Sequence, residues 1–405
     1  MQKVLLSAFA CDPSKGSEPG NGWNWSSGLA KRGFEVHCLT RVTGKTAIEE
    51  RNSGREGRLF FHYVMLPLGM EKLYGKGAVG MYLYYLLWQW AAYRKAQTLK
   101  KAHAFKVAHH VTWGSLQMGS FLYRLGIPFI FGPSGGGQKA PVTFKKYFLN
   151  YWGSEEKREK VSDLMVKYNP GFKGMLKKAH TVLVSNEETL EMARAYGGNK
   201  VEQTLDAALP DDFFPDIFVP KKTEAGLLKL LWVGRFMPRK GLLLLLDVMK
   251  ELKHMPGITL TVVGDGEMKD AFLQKQDEYG LSNTVDWKGK VPFDVVREYY
   301  ASHDAFFFTS LRDSCPAQLI EAMAFGLPVI TLNLHGQALI VNDENGIKCS
   351  CETPEEAIKE LKAAILSLYN NSERVQTMST AAHNFARQQN WNKKIDHIIQ
   401  HYYPV

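Results

Sequence analysis

Cysteine is scarce in this chain. Five occur among 405 residues, Cys11, Cys38, Cys315, Cys349 and Cys351, an odd number without C-x-x-C spacing. That usage excludes a disulfide framework and a structural zinc site. Cys349 and Cys351 alternate as along a strand, which reads as core packing. Long hydrophobic runs are missing too: none reaches the roughly 18–20 residues a membrane-spanning helix needs. The opening MQKVLLSAF starts as a strand and lacks the pattern of a secretory signal, so synthesis in the cytosol is expected. The glycines of the loop after the first strand, Gly16, Gly20 and Gly22, lack the order and spacing of the G-x-G-x-x-G dinucleotide fingerprint, which argues against a nicotinamide or flavin oxidoreductase. A D-x-D carboxylate pair is absent, and no repeat of 20–50 residues is evident.

What is present is ordinary globular composition, 45% apolar and 22% charged, on a length that suits two domains of about 150–200 residues each. Charge is divided unevenly. Residues 1–200 carry 29 Lys and Arg against 14 Asp and Glu, a balance of +15, whereas residues 201–405 carry 21 against 27, a balance of −6. The basic half is expected to prefer anions, whether a charged acceptor, an anionic lipid or nucleic acid.

Short apolar runs alternate with helical patterns in both halves. Lys3–Phe9, Phe34–Thr40, Arg58–Met65, Phe105–His109, Ile127–Phe131 and His180–Val184 read as strands, then Leu228–Val233, Ile258–Val263, Thr284–Trp287, Ala305–Thr309 and Pro328–Leu332. Strands separated by helices pair in parallel through right-handed crossovers, giving a doubly wound α/β sheet in each half. Pro215–Gly226, with two prolines and a charged patch, is the expected linker. Two such sheets in tandem bind ligands at their strand carboxyl ends, here expected to face a shared cleft.

Several stretches carry candidate chemistry. In SLRDSCPAQLIEAMAFGLPVI (310–330) a buried strand ends, a loop follows, and a helix starts near Ala317. Unpaired N–H groups at such a junction suit an anion. Asp313 and Glu321 are eight positions apart, so Glu321 lies about one turn into the helix, where a carboxylate can hold a vicinal diol. The plain structural alternative is a capping Asp313 and a solvated first-turn Glu321. In LWVGRFMPRKG (231–241), Arg235 follows a strand broken by Gly234, and Lys240 precedes a helix. Two cations at one strand mouth neutralise a diphosphate, or form a solvated basic turn. The glycine-bearing loop KGSEPGNG (15–22) lets backbone approach a ligand. His109 and His110 are expected to close a strand at its carboxyl end, placed for a sugar hydroxyl or a proton transfer, or simply structural. FGPSGGGQ (131–138), with Gly136, either borders the same cleft or makes a tight turn. The aromatic MYLYYLLWQWAAY (81–93), with Arg94, Lys95, Lys100 and Lys101 behind it, is either a core helix or a membrane-surface element.

Together these pieces resemble the GT-B glycosyltransferases, in particular the large retaining group usually called family 4. V-G-R-x-x-x-x-K-G (233–241), the acidic pair at 313 and 321, and E-A-M-A-x-G-x-P-V-I (321–330) carry the resemblance. It implies two Rossmann-like domains, 1–218 binding the acceptor and 219–389 binding the nucleotide sugar, with a terminal helix (390–405) returning to the first. Ile395, Ile398, Ile399 and Tyr402 supply that helix with an apolar face. It implies that Arg235 and Lys240 grip a diphosphate, that Glu321 holds the ribose, and that Asp313 replaces a glutamate contacting the donor sugar. Ser314, Cys315 and Pro316 stand where relatives have Gly-Phe-Gly and offer backbone amides. Gly16 and Ser17 align with a double glycine, and one of His109 or His110 with a sugar-contacting histidine. Asp206–Pro210 replaces the usual P-N-G-x-D turn.

The implied reaction moves a sugar from a UDP- or GDP-sugar to an alcohol acceptor, a glycan or lipid-linked glycan, with retention. No cofactor, metal or nucleic acid takes part. The implied place is the cytoplasm, with peripheral attachment to the inner membrane face. Two other classes share features of the pattern: a nucleotide-sugar 2-epimerase of the same fold, and a non-enzymatic nucleotide- or nucleic-acid-binding protein.

Overall fold

Strands covered on both faces must be largely apolar, and β1 (Lys3–Ala8) is: Val4 to Ala8 are all fully buried, with Ser7 the one polar side chain among them. The computed structural model of the protein describes residues 2–52 and 58–404. In it β1 joins β2 (Glu35–Thr40), β3 (Leu59–Tyr63), β4 (Phe105–Thr112), β5 (Phe129–Ser134), β6 (Thr181–Val184) and β7 (Val201–Gln203) in one sheet. The order is β3-β2-β1-β4-β5-β6-β7, every pair parallel. A second parallel sheet holds β8 (Leu228–Val233), β9 (Ile258–Val263), β10 (Val285–Gly289), β11 (Ala305–Phe308), β12 (Val329–Leu332) and β13 (Gly346–Cys349), ordered β10-β9-β8-β11-β12-β13. Both sheets reverse direction of build between their first and fourth strands. Such a reversal opens a crevice at the strand carboxyl ends, where ligands bind in this architecture.

The chain divides into two compact units, one of Met1–Gly137, Lys160–Asp206 and Trp391–Val405, the other of Gln138–Glu159 and Ala207–Asn390. The expected boundary at 218/219 moves to 206/207, and Pro215–Gly226 lies inside the second unit. Residues 138–159, expected in the first domain, join the second. Aromatic burial is the reason: Phe144, Tyr147, Phe148 and Trp152 belong to the second hydrophobic core, the two phenylalanines fully buried. Each is worth about 1.5–3 kcal/mol in that position.

The last helix, Trp391–Tyr402, packs on the helix Ser17–Lys31 within the first unit. Trp391 meets Trp25 edge-on, with ring centroids 5.8 Å apart. Gly28 makes room for Ile395, since a Cβ there would stand 2.2 Å from Ile395 Cδ1. Arg32 forks onto Asp396. None of the five cysteines forms a disulfide; β13 ends at Cys349 and Cys351 lies beyond it.

Candidate functional site

In the second unit β8 stops at Val233, and after Gly234 the exposed Arg235 begins the turn that leads to the short 3₁₀ segment Pro238–Lys240. Gly241 follows with φ +66°, and a Cβ on it would stand 2.1 Å from the Thr309 carbonyl oxygen. Only glycine fits so close under the end of β11. The Thr309 hydroxyl closes the junction by donating to the carbonyls of Lys240 (3.2 Å) and Gly241 (3.1 Å).

This closeness buries Lys240, 3% exposed, with Nζ 4.9 Å from the centre of the Phe308 ring and 2.7 Å from Asp313 Oδ2. Asp313 Oδ2 also accepts from the Ser310 hydroxyl (2.7 Å), and Oδ1 accepts from the Arg239 guanidinium. Burial by itself would raise the Asp313 carboxyl; the charges of Lys240 and Arg239 override it and hold that group well below the usual carboxylate range. Burial lowers the Lys240 ammonium, with Asp313 opposing, while the neighbouring charges of Arg239 and Arg235 act in the same direction as burial. Arg239 further donates to the Arg312 carbonyl (2.9 Å), and Leu311 N donates to the Arg239 carbonyl (2.8 Å). The turn at 238–240 and the loop at 310–313 are therefore knitted into one piece.

Glu321 lies in the helix Ala317–Ala324, where its Oε2 accepts from the Tyr300 hydroxyl at 3.0 Å. Burial raises its carboxyl, with Tyr300 and the charge of Lys240 opposing. Arg235, Lys240, Asp313 and Glu321, all named from the sequence, lie near enough that the charges of Arg235 and Asp313 act on Lys240 and that of Lys240 acts on Glu321. Asp313 differs from expectation: both its oxygens already hold Lys240, Arg239 and Ser310, so it neutralises the cations instead of reaching outward to a sugar. Arg239 is a member of the site that the sequence pattern does not single out. Its place beside Lys240 in MPRKG is the available signal, but spacing alone gives no hint of which cation meets the aspartate.

Ser314, Cys315 and Pro316 lead into the helix, with Cys315 Sγ accepting from Ala207 N at 3.5 Å. Gly336 packs against them: a Cβ there would stand 1.8 Å from the Ser314 oxygen. Its N–H donates to the Asp313 carbonyl (3.3 Å).

In the first unit, Gly16 precedes the helix Ser17–Lys31 and Ser17 takes φ +55°, a backbone setting that glycine adopts without strain. Glu18 accepts from the backbone N–H groups of Trp113 (2.5 Å) and Gly114 (2.7 Å). His109 and His110 require correction. β4 runs on to Thr112, so the pair sits inside the strand, 0% and 1% exposed. His109 bonds the Tyr403 hydroxyl (2.9 Å) and the Gly132 carbonyl (2.8 Å); His110 bonds Ser7 (3.0 Å) and Tyr85 (3.3 Å). Burial pushes His109 down to about 4 and His110, with the charge of His109 adding, down to about 3. Both are neutral core residues with every ring nitrogen engaged. Gly136 has φ +133°, and a Cβ on it would meet Gln117 Oε1 at 2.1 Å, so the glycine permits close packing there.

The sequence profile of the family described as Glycosyl transferases group 1 matches residues 214–385. The amylovoran biosynthesis glycosyltransferase AmsD of Erwinia amylovora is 34% identical over 132 residues, 32% of this chain and 35% of that protein. The lipopolysaccharide core biosynthesis glycosyltransferase LpsE of Rhizobium meliloti is 30% identical over 126 residues, 31% of this chain and 36% of that protein. The chain spans about a third to a half of the length of the curated relatives it matches. Among solved structures, Anabaena Alr3699/HepE in complex with UDP superposes with TM-score 0.64 at 16% identity, covering 99% of this chain and 100% of that one. Two Rossmann-like parallel-sheet domains in one chain define the GT-B fold. Within the second sheet's unit, residues 214–385 are thus similar to the group 1 glycosyl transferases.

Proposed function

We propose that the protein is a retaining glycosyltransferase that moves a sugar from a nucleoside-diphosphate donor to an alcohol acceptor. One observation carries this reading: at the end of the second sheet Arg239 and the buried Lys240 both pair with Asp313, and the charge of the exposed Arg235 acts on the same Lys240. Such a site attracts a dianionic diphosphate and stabilises the charge that grows as it leaves. Lys240 and Arg235 take the phosphates, and Asp313 keeps Lys240 charged and aimed. Glu321, oriented by Tyr300, takes the ribose hydroxyls. The loop at Ser314–Pro316 supplies backbone donors. The proton of the acceptor hydroxyl passes to the departing phosphate oxygen on the same face, which preserves the anomeric configuration. The sequence has no D-x-D pair, and the cations of the crevice replace a divalent ion in this scheme.

The acceptor belongs to the first unit. The helix Gly77–Ala102 buries Tyr84, Tyr85 and Trp88 and leaves Val79, Leu83 and Trp90 exposed, so it is at once a core helix and an apolar outer face. Beside Trp90 a groove of about 320 Å³ is lined by Leu86, Leu87, Phe121, Met165 and Tyr168. With exposed lysines nearby, this face suits an anionic membrane surface carrying a lipid-linked acceptor. Among the described residues no helix is long and apolar enough to cross a membrane.

A thermal-shift panel of nucleotide sugars, followed by turnover with and without acceptor alcohols, tests the reading. Transfer that requires acceptor and survives EDTA supports it; nucleotide-sugar turnover to an epimer without acceptor overturns it. Salt-sensitive sedimentation with phosphatidylglycerol vesicles tests the membrane face, and its absence removes that part.

A further inference from the structure

The donor-side loop is held by a residue far away in sequence. Glu155 stands in the first turn of the helix Trp152–Tyr168. Its carboxylate receives a forked pair of bonds from Arg312, Nε to Oε2 at 2.7 Å and Nη2 to Oε1 at 2.9 Å. Arg158 adds a longer contact at 3.4 Å. Side-chain exposures of 13% for Glu155 and 14% for Arg312 place this pair largely out of water. Two parallel N–H···O bonds fix the guanidinium plane as well as its position.

Arg312 is the residue before Asp313, and its carbonyl accepts from the same Arg239 guanidinium that holds Asp313. A continuous set of bonds therefore runs from Glu155 through Arg312 and Arg239 to Asp313 and Lys240. The segment carrying Glu155 does not need this pair for its own anchorage. Phe144 and Phe148 are fully buried in the second core, and the Tyr147 hydroxyl donates to Asp247 at 2.8 Å. A buried ion pair is often no more stable than a well-packed apolar pair of like volume. What it adds here is a defined place for the 310–313 backbone.

We propose that Glu155 is a positioning residue for the donor site, setting the loop that carries Asp313 and thereby the aim of Lys240. This rests on the reading of the crevice as a diphosphate site. Burial would raise the Glu155 carboxyl, and Arg312 overrides it and holds that group below its ordinary value.

The test compares wild type, Glu155→Gln, and the double variant Glu155→Leu with Arg312→Met. UDP and GDP binding is read by calorimetry, donor KM and kcat by turnover, and folding by urea midpoint. Glu155→Gln is expected to weaken nucleotide binding at least tenfold. The double variant is expected to regain the wild-type midpoint while nucleotide binding and kcat stay reduced by that factor. A double variant that recovers stability and nucleotide binding together makes the pair merely structural and overturns the proposal. Wild type that binds neither nucleotide overturns the diphosphate reading itself, a distinct outcome because the variants then have nothing to lose.

Discussion

The two sheets share one strand order and carry opposite charges at their crevices. At the second, Arg239 and Lys240 hold Asp313, and the charge of Arg235 reaches Lys240. At the first, a Cβ on Gly114 would lie 3.9 Å from Asp206 Oδ2 and 4.0 Å from Glu18 Oε1, so two carboxylates converge there, with Lys394 as the nearby cation. Burial pushes Asp206 up to about 7, with Lys394 opposing and Glu18 adding. The halves of the sequence run the other way, +15 in the first and −6 in the second. Lys95, Lys101, Lys173, Lys177 and Lys178 explain this: they are exposed on helices, where charge is solvated and says nothing of the crevice. Net charge reports on the surface as a whole; a site is made by the few charges that burial leaves unscreened.

The contrast can be broken most severely at Asp313. Asp313→Ala leaves Lys240 buried without its counter-charge, and loss of one partner of a buried pair costs about 3–5 kcal/mol. A urea midpoint close to that of wild type would contradict the pairing. Lys240→Ala is the next largest change. Turnover should fall about 10²–10³-fold, the usual effect of removing one donor from a developing negative charge, and a similar loss is expected for Arg235→Ala. Near-normal rates in both refute the leaving-group role.

The first unit offers a pH handle that the cationic crevice lacks. Burial, then the charge of His37, pushes His62 down to about 4, and burial lowers His37 as well. His37 Nδ1 and His62 Nε2 are 3.0 Å apart, stacked between β2 and β3. Because the folded pKa lies below the unfolded value of about 6.5, the unfolded chain binds protons first. This contribution is whole above about 6.5 and is lost as pH falls towards 4. Protection factors of the β2 and β3 amides, each referred to the intrinsic exchange rate at its pH, should fall between pH 7.5 and 5, and less so in His62→Gln. The smallest effect is expected at Ser17: relief of its left-handed φ in Ser17→Gly should raise stability by about 1 kcal/mol, read from the urea midpoint.

Much of the fold is legible because buried parallel strands must be continuous apolar runs, and eleven of these can be read from the residues alone. β7 is only three residues long and carries Glu202, so it has no such run. In β13, Lys348 and the flanking Asn345 obscure the pattern. The histidines illustrate the limit on sites. From sequence, His109 and His110 end an apolar run; in space, Val111 and Thr112 extend the strand, and the pair is enclosed by Ser7, Tyr85 and Tyr403. Tyr403 lies 294 positions away from His109, beyond the reach of any local reading.

Local order settled the strands, the glycine junctions at 234 and 241, and the placing of Arg235 and Lys240 after one strand and of Asp313 and Glu321 after another, because each depends on neighbours within a few residues. Which charges meet was settled only on folding. Asp313 turning inward to Lys240 and Arg239, Glu155 reaching Arg312 across 157 positions, and the aromatic segment at 144–152 joining the second core are all long-range choices. Burial makes them: once water is excluded, a charge must find its partner wherever the chain has brought one.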